Sequence, residues 1–427
     1  MFFTIALLAL LQTQESSRPE KLEALELKPN ILEFCMDDVG YADLASVPTP
    51  NIDALIAVSF DFPISYVTAP VCSASRASSL AGRYSSDFDI GHFVGPLSST
   101  SFPPGVQTKA TLLKGAGYQT AHFGKWHLNV QDPPAPGVVG GFDWFSATSL
   151  HNPAIMLVDG SGMLGDYFTW NRVDNGIEFV DSSGYMTEIQ GDEAKLWWSN
   201  AQEPKFAQMW FMAAHNPQHI PPAYLLPFAW PVPTTEREKF EASIIAMDTM
   251  IGEILSAVDL NTTYVFLWSD NGTPPTVVLP GQDPANFKFS MKEGGINTPF
   301  YIHAPGQKSA AIKRRMISSV DFLETYADIA NVSSTANDGV SFANQLGVQT
   351  APFQIRDWIY AVKFKPNGAG PYTVRERMLR TLDGFKYIRK EKSGQATQHL
   401  LYLLPDEDNE ITNAAKLSEL SAIVDTL

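Results

Sequence analysis

The chain has 427 residues, of which 44% are hydrophobic and 11% aromatic, a composition that is typical of a folded globular protein and excludes a disordered one. Its 46 acidic and 30 basic residues give a net charge of −16, which argues against binding to nucleic acid or to an anionic membrane surface. A pocket for an anion would therefore have to be built from a few basic side chains placed close together.

The N-terminus begins Met1-Phe2-Phe3 and stays largely apolar as far as Leu11, which is too short to cross a bilayer. A polar stretch from Gln12 to Ser17 follows, as in a signal peptide, although no basic residue precedes the apolar part. We expect residues 1–17 to be a signal peptide and the protein to be periplasmic or secreted. No other segment predicts a membrane span.

Strand-like and helix-like patterns alternate along the first three quarters of the chain. The pattern predicts strands at 30–36, 118–123, 206–213, 264–268 and 300–303, and helices at 49–57, 108–116, 234–258 and 319–330. This alternation predicts an α/β fold, in which a large and mostly parallel sheet is sandwiched by helices. We assign this large domain to residues 28–335.

The pattern changes after residue 335. Short strands separated by turns are predicted at 358–362, 377–382, 385–389 and 400–403, with a closing helix near 411–426. This part predicts a small α+β C-terminal domain with an antiparallel sheet, over residues 350–427.

Acidic and amide side chains follow two of the predicted strands directly. Asp37 and Asp38 follow the first strand, and Asp270 and Asn271 follow the strand at 264–268, so all four should lie at the edge where the carboxyl ends of the strands meet. Adjacent carboxylates repel each other, and oxygen ligands favour Ca²⁺ or Mg²⁺ over zinc. The alternative is an ordinary turn, since Asp-Asp and Asp-Asn-Gly are common turn sequences.

Cys72 begins the run Cys72-Ser73-Ala74-Ser75-Arg76, at the start of a predicted helix. A helix N-terminus with Arg76 one turn further on is an electropositive place that suits an anion. The other cysteine, Cys35, lies within an apolar predicted strand, and a disulfide between the two remains an alternative.

Lys125 and His127 follow the predicted strand at 118–123. Two residues apart in an extended chain, they should point to the same side, as the binding of an oxyanion requires. Each residue taken alone is more typical of a surface lysine and a packed histidine.

His215 and Lys288 are further candidates, in segments after the strand at 206–213 and after the one at 264–268. His219 and Lys292 compete for the same two roles, and spacing does not choose between them. Several positive groups beside one metal fit a tetrahedral oxyanion such as sulfate or phosphate. Ligands for only one metal cluster are found, which disfavours a two-metal phosphatase.

Taken together, these segments resemble the type I, formylglycine-dependent sulfatases of the alkaline-phosphatase superfamily, with similarity to the arylsulfatases, over residues 28–415. The segments that carry the resemblance are Asp37-Asp38-Val39-Gly40, Thr49-Pro50-Asn51-Ile52, Cys72-Ser73-Ala74-Ser75-Arg76, Gly124-Lys125-Trp126-His127, Ser269-Asp270-Asn271-Gly272 and Glu293-Gly294-Gly295. The resemblance makes residues 28–335 a sulfatase catalytic domain.

The resemblance implies that Cys72 is oxidised after translation to formylglycine, whose hydrate attacks sulfur and forms a covalent sulfate ester. It also implies one Ca²⁺ ion, or Mg²⁺ in its place, held by Asp37, Asp38, residue 72, Asp270 and Asn271.

The resemblance assigns the remaining candidates to catalysis. Arg76 would orient the hydrate, Lys125 would bind a sulfate oxygen, and His127 would take a proton from the second hydroxyl group. His215 and Lys288 would bind the ester oxygen; the spacing typical of the family favours them over His219 and Lys292.

The implied reaction is hydrolysis of a sulfate monoester, carried by a small molecule or an oligosaccharide, with sulfated carbohydrate as the expected substrate and aryl sulfates as surrogates. The implied partner is a formylglycine-generating enzyme or a radical maturation enzyme. Ala74 stands where the family commonly has Pro; the first enzyme prefers Pro there and the second tolerates Ala, so conversion of Cys72 is expected to depend on the host. No particular oligomeric state is indicated. The alternatives are a phosphonate monoester or phosphate diester hydrolase of the same superfamily, and a non-catalytic binder of sulfated glycans with unmodified Cys72.

Overall fold

The computed structural model describes residues 28–95, 98, 100–129, 140–148, 155–156, 163–227, 229–335 and 338–427. The expected signal peptide, residues 1–17, lies outside the described residues. Within the described ranges, no helix has the length and apolar character needed to cross a bilayer.

Helices and strands are interspersed along the described part of the chain, and each kind is numbered here in chain order. They are α1 (Tyr41–Ser46), α2 (Pro50–Ile56), α3 (Cys72–Ala81), α4 (Lys109–Gly115), α5 (Met186–Asn200), α6 (Glu236–Leu255), α7 (Glu293–Ile296), α8 (Phe322–Ala330) and α9 (Ala414–Thr426). The strands are β1 (Asn30–Met36), β2 (Phe60–Asp61), β3 (Ser65–Tyr66), β4 (Gln119–Lys125), β5 (Trp144–Thr148), β6 (Ile155–Met156), β7 (Met163–Leu164), β8 (Trp170–Asp174), β9 (Ile177–Asp181), β10 (Lys205–Trp210), β11 (Thr263–Ser269), β12 (Phe300–His303), β13 (Ala311–Ile312), β14 (Ile317–Ser318), β15 (Trp358–Lys365), β16 (Val374–Thr381), β17 (Phe385–Lys392) and β18 (Gln398–Leu403).

The large sheet has ten strands in the order β13-β2-β12-β11-β1-β10-β4-β5-β8-β9. Its centre is parallel, because β1 pairs in parallel with both β10 and β11, and β4 pairs in parallel with β10 and β5. Antiparallel pairs occur toward both sides, at β11–β12 and at β5–β8. The predicted α/β fold with a mostly parallel sheet is confirmed.

The sheet is buried on both faces, as continuous apolar strands require. Alternate residues of β1 point to opposite sides. Ile31 and Cys35 pack in the core cluster that includes side chains of α3, α4 and α8, whereas Leu32 and Phe34 pack in the cluster that includes side chains of α5 and α6. The helices therefore lie on both faces, and the edge at the carboxyl ends of the strands remains for a site.

The C-terminal part forms a four-stranded antiparallel sheet in the order β15-β16-β17-β18, as predicted. Its edge strand β15 is fastened to the segments on either side of α3. The Val362 amide donates to the carbonyl of Thr68 at 2.9 Å, and the Phe364 amide donates to the carbonyl of Gly91 at 3.1 Å. The small sheet therefore borders the region around Cys72.

Several features differ from the sequence prediction. The strand expected at 206–213 ends at Trp210, and the sequence predicts neither α5 nor the sheet strands β5, β8 and β9. The buried side of α5 includes Thr187, Gln190 and Gly191, so its apolar periodicity is too weak to predict a helix.

Candidate active site

The end of β1 is tied to its neighbour β10 by backbone hydrogen bonds. The Asp37 amide donates to the carbonyl of Ala213 at 3.1 Å, and the Ala214 amide donates to the carbonyl of Asp37 at 3.0 Å. Asp38 then turns into the left-handed region, with φ of +68°, which is uncommon for a residue with a side chain. Its amide donates to Oδ1 of Asp270 at 3.2 Å, so this turn brings the two acidic segments together.

A contact between glycines joins the segment after β11 to α7. The Gly272 amide donates to the carbonyl of Gly295 at 3.1 Å. A Cβ atom on Gly272 would lie 1.7 Å from the carbonyl oxygen of Gly294, so no larger residue fits. This close approach explains the glycine at 272. The Lys288 amide donates to the carbonyl of Thr273 at 3.0 Å, so Asp270 and Asn271 lie near the loop that bears Lys288.

Asp37, Asp38 and Asp270, called here the carboxylate cluster, are fully buried at this edge. Burial, followed by repulsion from Asp270, raises the pKa of Asp37 to about 7. Asn271 Nδ2 donates to Oδ1 of Asp38 at 2.6 Å, while the buried Asn271 Oδ1 has no hydrogen-bond partner among the described residues. Carboxylates that repel each other and an unpaired amide oxygen fit a hard cation such as Ca²⁺ or Mg²⁺.

Cys72 and His215 complete the group that can hold a metal ion. One ligand atom from each of Asp37, Asp38, Cys72 and His215 lies within 4.8 Å of the other three, and Cys72 Sγ is 3.8 Å from Oδ1 of Asp37. Of the five metal ligands that the resemblance implies, Asp37, Asp38 and Cys72 belong to this group. The other two, Asn271 and Asp270, are each hydrogen-bonded to Asp38.

Three basic side chains, all predicted from the sequence, point at the carboxylate cluster. Arg76 Nη2 lies 2.7 Å from Oδ2 of Asp270 and 3.3 Å from Oδ2 of Asp37. Lys125 Nζ donates to Asp37, and Lys288 Nζ donates to Oδ1 of Asp38 at 2.5 Å. Although burial opposes ionisation of Asp38, Lys288 and then His215 hold the pKa of this carboxyl below its usual range.

The thiol of Cys72 lies at the first residue of α3 and is fully buried. Burial raises its pKa to about 12; Lys125 and Lys288 oppose the rise, and Asp37 adds to it. The position is thus not simply electropositive, and an unmodified thiol there is protonated at neutral pH and is a weak nucleophile. The disulfide alternative is wrong, since Cys35 and Cys72 are both free.

Lys125 is the last residue of β4, and the chain stops being extended after it. His127 has φ of +59°, so the expectation of an extended chain from Lys125 to His127 is wrong. Within the strand, Gly124 has φ of +94°, and a Cβ atom there would lie 2.0 Å from the carbonyl oxygen of Trp210. His127 is buried, and its carbonyl accepts a hydrogen bond from the hydroxyl of Ser73, the residue after Cys72, at 2.8 Å.

The two competing histidines have different surroundings. His215 Nε2 lies 3.7 Å from Oδ2 of Asp38, and Nδ1 donates to the carbonyl of Asn216 at 2.8 Å. Burial, followed by the charge of Lys125, lowers the pKa of His215 well below its usual value. His219 instead stacks on Tyr167, with ring centroids 3.9 Å apart. The structure brings His215, and not His219, to the carboxylate cluster.

The two competing lysines also separate. Lys288 donates to Asp38, as described above. Burial alone would lower the pKa of Lys288, but the charge of Asp38 outweighs it and raises this pKa above its usual value. Lys292 Nζ donates to the carbonyl of Glu407 at 3.3 Å, and it lies over the ring of Tyr402. The structure therefore brings Lys288, and not Lys292, into the site.

Comparison with known proteins agrees with this geometry. The family model described as Sulfatase matches residues 29–332, which is more than half of the chain. The chain belongs to the sulfatase family. It is 28% identical to human N-acetylgalactosamine-6-sulfatase over 351 residues, covering 74% of this chain and 65% of the relative. It is 24% identical to mouse arylsulfatase J, covering 75% of this chain and 55% of the relative. The chain thus spans less than two thirds of the length of these relatives.

Solved structures share the sulfatase fold over nearly the whole chain. Ps i-CgsB in complex with k-i-k-neocarrahexaose superposes with a TM-score of 0.75 at 22% identity, covering 93% of this chain and 91% of that one. A protein solved in complex with its substrate D-glucosamine-2-N,6-O-disulfate superposes with a TM-score of 0.69 at 20% identity, covering 92% and 95%. At these identities the likeness concerns the fold.

A buried polar group behind the carboxylate cluster was not predicted from the sequence. Glu33, in the middle of β1, accepts hydrogen bonds from Lys109 Nζ at 2.8 and 2.7 Å and from Trp210 Nε1 at 2.9 Å. The Trp210 ring also lies 5.0 Å from the guanidinium of Arg76, so this group supports the arginine from behind. A single charged residue within an otherwise apolar strand was the signal that could have revealed it.

Proposed function

We propose that this protein hydrolyses sulfate monoesters of carbohydrates, and that aryl sulfates serve as surrogate substrates. The observation that carries the proposal is the meeting of Arg76, Lys125 and Lys288 with the carboxylate cluster beside residue 72. A named relative, human N-acetylgalactosamine-6-sulfatase, and a structural neighbour with a disulfated glucosamine as its substrate support a sulfated sugar.

We further propose that Cys72 is converted to formylglycine. The resemblance of the Cys72–Arg76 motif supports this proposal, as does the position of Cys72, buried at the first residue of α3 with its Sγ 3.8 Å from Oδ1 of Asp37. The hydrated aldehyde would supply hydroxyl groups at this position. Ca²⁺, held by the carboxylate cluster, Asn271 and residue 72, would supply a positive charge that favours an ionised hydroxyl and a bound anion.

The side chains of this chain then have distinct roles. Lys125 and Lys288 are buried at this edge of the sheet. Lys125 donates hydrogen bonds to a sulfate oxygen and stabilises the charge that develops on it, whereas Lys288 acts on the ester oxygen. Arg76 bridges Asp270 and Asp37 and so keeps two of the proposed metal ligands in place.

The two histidines are assigned to proton transfer and to the ester oxygen. His215 holds its Nδ1 hydrogen on the carbonyl of Asn216, which directs Nε2 toward Asp38 and, with Lys288, toward the ester oxygen of the leaving alcohol. His127, whose backbone is fastened to Ser73, is proposed to take the proton whose removal releases sulfate from residue 72.

Mass spectrometry of the peptide that contains Cys72, on protein made in its own host, tests the modification. A panel of sulfated monosaccharides, one aryl sulfate and the matching phosphate diester tests the reaction. We expect formylglycine at residue 72 and turnover of the sulfate esters. An intact thiol together with no turnover of any sulfate ester would refute the proposal, and faster hydrolysis of the phosphate diester would reassign the reaction.

Lys288 and Lys292 offer a matched pair of variants for the same assay. Lys288→Ala should lower kcat by roughly 100-fold or more, as removal of one oxyanion donor does. Lys292→Ala, four residues along, should leave kcat within about twofold because its ammonium contacts Glu407 instead. Equal losses in the two variants would contradict the role given to Lys288.

The conversion of Cys72 and the location of the protein are proposed on sequence grounds. We propose that a formylglycine-generating enzyme or a radical maturation enzyme performs the oxidation, and that Ala74, where the family commonly has Pro, makes the radical enzyme the better suited of the two. Co-expression with a radical maturation enzyme should raise the fraction of formylglycine at residue 72 more than co-expression with a formylglycine-generating enzyme does. We propose export to the periplasm or the medium, which fractionation and the mass of the mature N-terminus check.

A further inference from the structure

A cavity of about 400 Å³ lies between the C-terminal sheet and the catalytic domain. Its walls come from β15, β16 and two segments of the catalytic domain. The lining residues are His92, Phe93, Phe289, Lys363, Phe364, Lys365, Val374 and Glu376. None of these eight residues has a role in the reaction proposed above.

The cavity is adjacent to the proposed sulfate site. Phe289 directly follows Lys288, and its amide donates to the carbonyl of Pro70, two residues before Cys72, at 3.0 Å. On the other wall, the amide of Val94 donates to the hydroxyl of Ser73 at 2.9 Å. Both walls are therefore attached to residues beside Cys72. Lys288 Nζ also lies 5.5 Å from the centre of the Phe289 ring, so the cavity borders the proposed sulfate site.

Aromatic rings form the apolar part of the lining. Phe93 and Phe289 are 41% and 40% exposed, and the ring of His92 lies parallel to that of Phe289, with centroids 6.0 Å apart and an interplanar angle of 9°. Exposed aromatic faces beside polar groups suit a sugar ring, which has an apolar C–H face and a polar rim.

The charged part of the lining is positive on balance. Lys363 Nζ donates to the carbonyl of Phe289 at 2.5 Å and lies 3.2 Å from Oε1 of Glu376, so these two charges offset each other. Lys365 is exposed, forms no ion pair within the described residues, and has its Nζ 5.9 Å from the ring centre of Phe93. With Lys288 next to the cavity, a chain of net charge −16 presents positive charge here.

The protonation of His92 agrees with a positive surrounding. Burial, followed by the charges of Lys365 and Lys363, lowers the pKa of His92 to about 3. The ring is therefore neutral at neutral pH, and it offers a stacking face and a hydrogen-bonding group without adding charge.

We propose that this cavity is a second sugar subsite, which binds an anionic sugar unit linked to the unit whose sulfate is hydrolysed, and that Lys365 recognises its acidic group. The inference rests on the proposed function, since it describes what lies next to the hydrolysed sulfate. The acidic group is a carboxylate or a second sulfate, two sources of the same chemistry that the substrates below separate.

Kinetics with matched substrates test the subsite. The substrates are one sulfated monosaccharide and two disaccharides in which the neighbouring unit carries either a carboxylate or a sulfate. Lys365→Ala should lower kcat/KM for at least one disaccharide by about fivefold, or ~1 kcal/mol, as for an exposed charge contact, and leave the monosaccharide unchanged. The control Lys308→Ala, an exposed lysine that donates to Asn261, should change neither. An equal effect of Lys365→Ala on all substrates, or none, would overturn the subsite.

Calorimetric binding of the same disaccharides to Cys72→Ala protein separates the two proposals. Binding that weakens about fivefold with Lys365→Ala, in a protein whose unaltered form hydrolyses no sulfate ester, refutes the hydrolase and retains the subsite. If the protein hydrolyses the disaccharides and Lys365→Ala does not change that turnover, the subsite is refuted and the hydrolase is retained. Neither binding nor turnover refutes both.

Discussion

The buried ion pair of Glu33 and Lys109 gives the sharpest test of how the sheet supports the site. Both side chains are fully buried. The Glu33 carboxylate also accepts hydrogen bonds from Trp268 Nε1 at 3.1 Å and from the hydroxyl of Tyr326 at 2.7 Å. Burial lowers the pKa of Lys109, and the facing carboxylate of Glu33 opposes that shift.

Lys109→Met removes the positive charge and keeps most of the side-chain volume. It leaves the Glu33 carboxylate buried with neutral donors alone, and breaking a buried pair in this way costs ~3–5 kcal/mol in the free energy of unfolding. Urea unfolding should show the midpoint moving to lower concentration with an unchanged slope. Because Lys109 Nζ and the Arg76 guanidinium lie 5.3 and 5.0 Å from the centre of the Trp210 ring, activity should fall as well.

A double-mutant cycle shows whether the effect belongs to the pair. Glu33→Gln combined with Lys109→Met should cost less than the sum of the two single changes by ~1–3 kcal/mol, since the second change removes the charge that the first left unpaired. The exposed pair of Lys195 and Glu253 is the control, and Lys195→Met should cost no more than ~1 kcal/mol. Additive costs, or a Lys109→Met variant as stable as the unchanged protein, would refute this reasoning.

Three further predictions concern metal, domain contact and pH. Ca²⁺ at 100 times its Kd should stabilise the protein by ~2.7 kcal/mol, since it relieves repulsion in the carboxylate cluster; a melting temperature indifferent to Ca²⁺, Mg²⁺ and chelator would contradict the metal site. Lys386→Met should cost ~1.5–3 kcal/mol in urea unfolding, because the buried ammonium lies 2.7 Å from carboxylate oxygens of both Glu293 and Glu407; an unchanged midpoint would contradict this. Burial lowers the pKa of His219 to about 4, below the unfolded value of about 6.5. The unfolded chain therefore takes up the proton first, and stability should fall as pH drops from about 6.5 toward 4; His219→Gln should lose less stability over that range, and an identical loss would count against the assignment.

The predicted α/β fold could be read from local patterns. Apolar runs such as Asn30–Met36 and the periodic helix at Glu236–Leu255 carry their own signal, because burial of a strand or of one helix face acts residue by residue. The same local signal failed at α5, whose buried face contains polar and small side chains. It also failed at His127, whose φ of +59° ends the extended run that the pattern predicts.

The candidate site was partly predictable, for a reason that lies in the topology of parallel sheets. Polar residues that follow parallel strands meet at one edge, so the sequence predicts that Asp37, Asp38 and Asp270 lie together. That rule gives the edge but not the direction of each side chain. His215 and His219 are equally close to it in sequence, and only the fold directs one to Asp38 and the other to Tyr167.

The class of fold, the polar strand ends and the motifs that resemble a sulfatase can be predicted from the amino-acid sequence, since each depends on neighbours along the chain. Three features depend on the folded arrangement: which histidine and lysine face the carboxylate cluster, the support that Glu33 gives to Arg76 through Trp210, and the cavity that has the C-terminal sheet as one wall. These contacts join residues far apart in sequence, and their geometry depends on how loops and sheets pack, which no local pattern encodes.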